Sequence, residues 1–580
     1  MGPDGTGSVE TTSQALRKTV AVQGYGTMYP VFRRFRHSKR GNVAVLFALT
    51  ALPLITVVGA AVDYSGAANL QSHLQADTDA AALVACKSPL TAEADLKALA
   101  QKALNGYMPG QTVTITKFKA TNNPRSVELT TRVTYPTRFM RIANVSSLNV
   151  SITSGCAAGE NFYEIALVLD TTGSMSQSAG TGTKIQALRT AATNFVNTMF
   201  TNFDPTHLKM SIVPFAASVK VNPDTYAPNN VPNVAWLDSS GTSSIHWSNF
   251  TNPAGSSFGS RFDIYKKLKA ARASWTWAGC LESLLYPYNT QDATPSTGTP
   301  NTRYVPLLAP DELGTDTTCT INFFGKPITY PCHDPSSDNS YMDDGTATSG
   351  SCNSLDGNNT KRLGQACKYV TPTNIRTGEA GPNNQCTSRP ITTLTNSQSA
   401  LTTEIGNLQA SGQTNIAEGL HWGWRTIART GVFNEPAAYG TQNTTKIVVL
   451  MTDGVNTWSA ASSPVARSQY SAYGFFANAD LTTTTNRLPP GYGNLSSSTD
   501  ARNAIDQLTR ETCTNMKAKG VVIYSVAFST PGDAIDASGQ QLIKDCASGA
   551  DKYFLASDAA SLNSTFAAIA QGIGALRITK

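Results

Sequence analysis

The sequence predicts an α/β protein, a doubly wound, mostly parallel sheet with a large disulfide-rich insertion, preceded by a transmembrane helix and a small α+β stalk. Three observations predict it. An uncharged apolar run occupies Val43 to Val62, short apolar strand-like runs alternate with amphipathic helical runs from Asn161 onward, and six of the ten cysteines fall in one stretch with little periodicity, at about 227–400. Four segments follow: 1–40, the span 43–62, a stalk 63–158 and a sheet domain 160–580.

Residues 1–40 are basic toward their end, and the first 30 lack a periodic apolar pattern, so disorder is expected there. Met28 is an alternative start. The run VAVLFALTALPLITVVGAAV has the length of roughly 20 residues that crosses about 30 Å of hydrocarbon. Pro53 and Gly59 are tolerated in such a span. Arg33, Arg34, Arg36, Lys39 and Arg40 precede it, whereas Asp63 and Asp77 follow. That bias keeps the N-terminus in the cytoplasm and exports the bulk of the chain. A cleaved signal peptide fits less well, because the run exceeds the usual h-region and no clear small-x-small site follows. The basic run is explained by topology rather than by nucleic-acid binding.

After the span, Tyr64, Ala67, Leu70, Leu74, Ala81 and Val84 recur at three- and four-residue steps, which continues the helix with one apolar stripe. Gln111 to Ala120, Ser126 to Phe139 and Leu148 to Cys156 alternate apolar with Thr and Ser residues and read as half-buried strands.

The stretch KRGNVAVLFAL (Lys39 to Leu49), the span and VDYSGAANLQSHLQADTDAAALVA (Val62 to Ala85) together resemble the TadE/TadG-like segment of Tad (Flp) pilus-assembly proteins. The resemblance implies a single-pass bacterial inner-membrane protein with its bulk in the periplasm, working with pilus or secretion machinery. Pseudopilins of this system usually carry a Glu five residues after the Gly at the cleaved bond, whereas counting from Gly41 gives Leu46. That departure implies a retained anchor.

In the sheet domain, YEIALVLD (Tyr163 to Asp170) is a buried parallel strand ending in a carboxylate. Ile185, Leu188, Ala192, Phe195 and Met199 mark one helix face, and LKMSIVPFA (Leu208 to Ala216) is the next strand. Later come KIVVLMTD (Lys446 to Asp453), a helix over Ala501 to Lys519, GVVIYSVAFS (Gly520 to Ser529), KYFLA (Lys552 to Ala556) and a last helix with Leu562, Phe566, Ile569 and Ile573. Such sheets gather ligands at the carboxyl ends of their strands.

Three loops at that edge carry unusual chemistry. DTTGSMS alternates Asp170, Thr172 and Ser174 directly after the first strand; SGQTNIAEGL places Thr414 before a helix; LMTDGVNT ends a buried strand with Asp453. Two carboxylates and three hydroxyls form an all-oxygen set that suits a hard cation. The bland alternative is that Ser174 and Thr414 cap helices and Asp453 ends a strand. Together the loops resemble the metal-ion-dependent adhesion site of von Willebrand factor A domains, with Thr172 in place of the first Ser. The resemblance covers about 160–226 and 400–580. It implies Asp170, Thr172, Ser174, Thr414 and Asp453 as ligands of Mg²⁺, or of Mn²⁺ or Ca²⁺, with an Asp or Glu of a partner protein completing the shell.

In the insertion the cysteine connectivity cannot be read, but a stapled cap is expected. Trp236, Trp247, Trp275 and Trp277 there are either exposed binding aromatics or, as is commoner for Trp, buried core. Asp343, Asp344 and Asp356 match no EF-hand spacing. Cys86 with Cys156, and Cys513 with Cys546, are plausible bridges, and ten cysteines all after the span suggest an oxidising compartment. A net charge of +6 with 14% charged residues leaves no nucleic-acid footprint. There is no GxSxG, HExxH or P-loop, and the six His are scattered, which argues against an enzyme. The expected function is cation-dependent protein binding in pilus assembly or anchoring, ahead of a surface adhesin for host or matrix protein and a metal-dependent hydrolase.

Overall fold

The computed structural model describes residues 42–88, 90–122, 125–157, 161–251, 256–313, 318–323, 326–331, 339–342, 359–373, 380–461, 465–476 and 487–576. Residues 1–40 with their basic cluster, Asp343, Asp344, Asp356, Cys332 and Cys352 lie outside them. The chain forms two units, residues 1–119 with 127–156, and residues 120–126 with 157–580.

The first unit begins with α1 (Asn42–Lys87), 46 residues in one helix with Pro53 inside it. It is the one helix among the described residues long and apolar enough to cross a membrane. Phe47, Leu49, Leu54 and Val57 on its N-terminal part are largely exposed, whereas Leu74, Ala81 and Ala85 farther on are buried. A second helix, α2 (Glu93–Tyr107), packs on α1 and buries Leu96, Ala100 and Leu104. Strands β1 (Thr114–Asn122), β2 (Arg125–Pro136) and β3 (Ser147–Ala157) form a sheet in that order. Cys86 at the end of α1 is joined to Cys156 of β3 by a disulfide. The expected apolar stripe holds for Ala67, Leu74 and Ala81 but not for Tyr64, which is 73% exposed. At that turn the inward residue is Asp63, whose carboxylate accepts the backbone N–H groups of Arg138, Phe139 and Met140 at 2.9, 2.8 and 2.7 Å.

In chain order the second unit contains β4 (Phe162–Asp170), α3 (Lys184–Asn202), β5 (Leu208–Phe215), α4 (Arg261–Ala271), β6 (Thr318–Phe323), β7 (Lys326–Pro331), β8 (Thr392–Thr395), α5 (Gln398–Gly406), α6 (Ile416–Ile427), β9 (Thr444–Thr452), α7 (Ser498–Ala518), β10 (Val522–Phe528), α8 (Ala537–Cys546), β11 (Tyr553–Ala556) and α9 (Ala559–Leu576). The main sheet runs β11-β10-β9-β4-β5-β8, parallel except at the β8 edge. Consecutive strand residues face opposite ways. Ile165, Leu167 and Leu169 therefore enter one core with α3 and α9, and Ala166 and Val168 enter another with α6. Helices thus cover both faces, the condition for a parallel sheet. Helix α3 starts at a capping box between Thr183 and Gln186.

The region 227–400 does not stand wholly apart. Its end supplies β8, which pairs antiparallel with β5, and α5, which packs on α3. TTLT is four residues without apolar alternation, too short to signal a strand. Conversely, residues after β9 join the cap. Tyr470 and Phe475 share a core with Leu307 and Ala309, and Tyr470, Arg261 and Arg487 all bond the buried carboxylate of Glu282. Trp236, Trp275 and Trp277 are buried, and Trp247 packs partly buried against the same core. Disulfides join Cys280 to Cys386 and Cys513 of α7 to Cys546 of α8.

Candidate functional site

Strands β4 and β9 are neighbours, with Leu169 opposite Met451, so their carboxyl ends emerge side by side. Asp170 is the last residue of β4, and Asp453 follows β9. The loop after β4 is zipped to the loop before α6: Ser411 N–H donates to Thr171 O, and Gly173 N–H to Gly412 O, both at 2.9 Å. Gly412 holds φ at +88°, and a Cβ there would meet Thr387 Oγ1 at 2.5 Å, so this turn requires glycine on two counts.

Those strands and loops bring four of the five ligand candidates into one hydrogen-bonded chain. Asp170 Oδ1 accepts from Thr172 N–H at 2.8 Å and from Thr172 Oγ1 at 2.6 Å. Thr172 Oγ1 lies 3.0 Å from Ser174 Oγ, which donates to Asp453 Oδ1 at 2.8 Å. The fifth, Thr414, borders the same space: a Cβ on Gly454 would be 3.6 Å from Thr414 Oγ1 and 3.7 Å from Ser174 Oγ. Helix α6 is capped not by Thr414 but by Asn415, whose side chain accepts from Glu418 N–H. Capping therefore does not account for Thr414, nor for Ser174, whose hydroxyl points at a carboxylate.

Three further residues complete the cluster. Thr452 Oγ1 donates to Asp170 Oδ2 at 2.6 Å. Lys184 Nζ donates to Asp453 Oδ2 at 3.0 Å and to Asp533 Oδ2 at 2.7 Å. Thr452 was visible beside Asp453 in LMTDG, but a lone Lys at a helix start and a lone Asp after β10 carry no local signal. Asp170 is fully buried, and the hydrogen bonds just given come only from neutral groups. Burial first, and the charge of Asp453 second, raise its carboxyl to about 7. Burial also raises that of Asp453, against the opposing pull of Lys184. Lys184 is thus shared by Asp453 and Asp533, and Asp170 has no cation of its own in the cluster. Among the described residues no cluster of three or more His, Cys, Asp or Glu forms a metal-holding group. A cavity of about 340 Å³ lined by Glu164, His207, Lys209 and Arg429 opens at the opposite, amino ends of β4 and β5, away from this chemistry.

Residues 41–95 match a family model described as Flp pilus-assembly TadE/G-like. No curated protein matches the chain. Among solved structures, the pilus adhesin SpaC from Lactobacillus rhamnosus GG is similar at 12% identity and a TM-score of 0.29, over 80% of this chain and 34% of that one. The PilB minor pilin from Streptococcus sanguinis is similar at 13% identity and a TM-score of 0.31, over 80% and 79%. The vWF domain of the type V pili tip protein Mfa5 from Porphyromonas gingivalis is similar at 10% identity and a TM-score of 0.30, over 72% and 97%.

Proposed function

We propose that this chain is a single-pass inner-membrane protein of Tad (Flp) pilus assembly or anchoring. In this reading its larger unit is a von Willebrand factor A-like domain, lies in the periplasm and binds a partner protein through a divalent cation. The TadE/G-like match supports the pilus and membrane parts of this reading. The cation part rests on one observation: Asp170, buried with neutral donors only, lies in a hydroxyl-lined cluster with Asp453. A buried carboxylate without a counter-charge is costly, and a divalent cation would supply the positive charge that Asp170 lacks.

Asp170, Thr172, Ser174, Thr414 and Asp453 would hold the cation, Mg²⁺ first among hard cations, directly or through water. When bound, such an ion would supply the positive charge and Lewis acidity that an incoming carboxylate needs. The protein's own residues do the rest. Thr452 fixes the rotamer of Asp170, Lys184 fixes that of Asp453, and the zipped Gly173 and Gly412 loops hold the three segments at one edge.

Calorimetric titration of Mg²⁺ into the purified protein tests this, with Asp170→Ala and Asp453→Ala as controls. Saturable binding lost in both variants is expected, followed by capture of an acidic partner that chelator reverses. Binding that survives in both variants would overturn the site.

A further inference from the structure

Three residues on one face of α1 seat the end of β2 and the turn that follows it in the same unit. A Cβ on Gly59 would meet Phe139 Cβ at 2.4 Å, and one on Gly66 would clash with the Tyr135 hydroxyl. Between them Asp63 receives the backbone N–H groups of Arg138, Phe139 and Met140. Positions 59, 63 and 66 are spaced by four and three, which stacks them along one side of a helix. The turn between β2 and β3 is therefore held against α1 at a fixed height. Gly59 lies three residues inside Val62, the last residue of the apolar run, about 4–5 Å along the axis at 1.5 Å per residue.

Outside α1, this turn carries the most exposed large apolar side chain of the unit among the described residues, Ile142. Ile142 is 64% exposed and Phe139 39% exposed, with Arg138 and Arg141 exposed beside them. Two apolar side chains in water next to two cations make little sense for a turn facing solvent. At the depth of a membrane boundary the same four residues are well placed. The apolar pair reaches the acyl region, while the long arginine side chains snorkel to phosphates.

We propose that the turn Arg138–Ile142 is seated in the lipid headgroup layer at the Asp63 end of the span, with Phe139 and Ile142 as an apolar wedge and Arg138 and Arg141 on acidic phospholipid headgroups. This rests on reading α1 as a membrane span. It adds a second, lateral membrane contact that limits how far the unit tilts on its anchor.

The test uses the full-length protein in nanodiscs of phosphatidylcholine and phosphatidylglycerol. Single nitroxide labels are placed by Leu49→Cys, Ile142→Cys and Tyr107→Cys, and the ratio of oxygen to nickel-chelate accessibility is read by electron paramagnetic resonance. We expect membrane-like ratios at Leu49, an aqueous ratio at Tyr107, and a ratio at Ile142 severalfold above Tyr107 that drops when phosphatidylglycerol is omitted. A membrane-like Leu49 with Ile142 equal to Tyr107 would overturn the proposal while leaving the anchor intact. An aqueous Leu49 would overturn the anchor and the proposal with it. A raised ratio at Ile142 that does not change without phosphatidylglycerol would overturn the acidic-headgroup contact.

Discussion

Lys184 Nζ lies 3.0 Å from Asp453 Oδ2, with neither side chain exposed to solvent. The lysine therefore sits where it both steadies the site and competes for its negative charge. Removing one partner of a buried pair costs on the order of 3–5 kcal/mol because the other charge stays uncompensated. Lys184→Met is expected to lose stability of that order in chelator and appreciably less in Mg²⁺, since a bound cation neutralises Asp453. Denaturant unfolding under the two conditions checks this. Equal losses in both would mean that no cation reaches Asp453.

Burial raises the carboxyl of Glu418 on α6 to about 7 from an ordinary 4.5, and one of its oxygens has no hydrogen-bond partner among the described residues. The folded state then holds a proton that the unfolded state releases between those two values, so stability is fully present below the lower one and is lost as pH rises through the upper. The span corresponds to about 3 kcal/mol. Glu418→Gln should flatten the stability profile of chelated protein between roughly pH 4.5 and 7. Asp170 contributes a slope of the same sign there, which the variant leaves in place.

Gly412→Ala should cost about 1–2 kcal/mol for the left-handed backbone, plus the displacement of Thr387. Gly440 has φ +74° with open space around its Cβ, so Gly440→Ala isolates the backbone cost alone. Melting temperature and Mg²⁺ affinity measured on both variants separate the effects. Only Gly412→Ala should weaken cation binding, because only that loop carries Thr414.

The Cys513–Cys546 bridge closes a separation of 33 residues between α7 and α8. On the chain-entropy argument its loss costs about 3–4 kcal/mol. Cys513→Ser with Cys546→Ser should lower the unfolding free energy by that amount and leave Mg²⁺ affinity unchanged, since neither residue touches the cluster at the ends of β4 and β9.

The parallel strands were legible because each is a short, mostly apolar run: YEIALVLD and KIVVLMTD fall within a residue or two of β4 and β9. The ligand candidates were legible for a related reason. Short oxygen side chains directly after such strands have little else to do there. What escaped were contributions whose logic is tertiary. TTLT becomes a strand only because β5 offers it an edge, and residues 465–476 fold back on the cap through Tyr470 and Phe475 with no signal in their own pattern. Lys184 belongs to the same class. A lysine at the first position of an amphipathic helix reads as solvated, and its burial becomes apparent only when β9 brings Asp453 to it. Tyr64 erred the other way, since the periodicity was right but Asp63 turns inward to bind three N–H groups.

Ser174 and Asp453 touch across 279 positions of sequence, and Lys184 and Asp453 across 269. Contacts of such separation are late events in folding, because a long intervening chain must first be ordered or looped out. Strands β4 and β5 can pair soon after they are made, but β9 must wait for the cap to be threaded past them. Until then β4 presents an open edge and Asp170 has no Thr452 to bond. Cation binding would accordingly serve as a clock for the last step of maturation, and a species that has formed its early parallel β4-α3-β5 unit but not its cap would be the one most exposed to edge-to-edge aggregation.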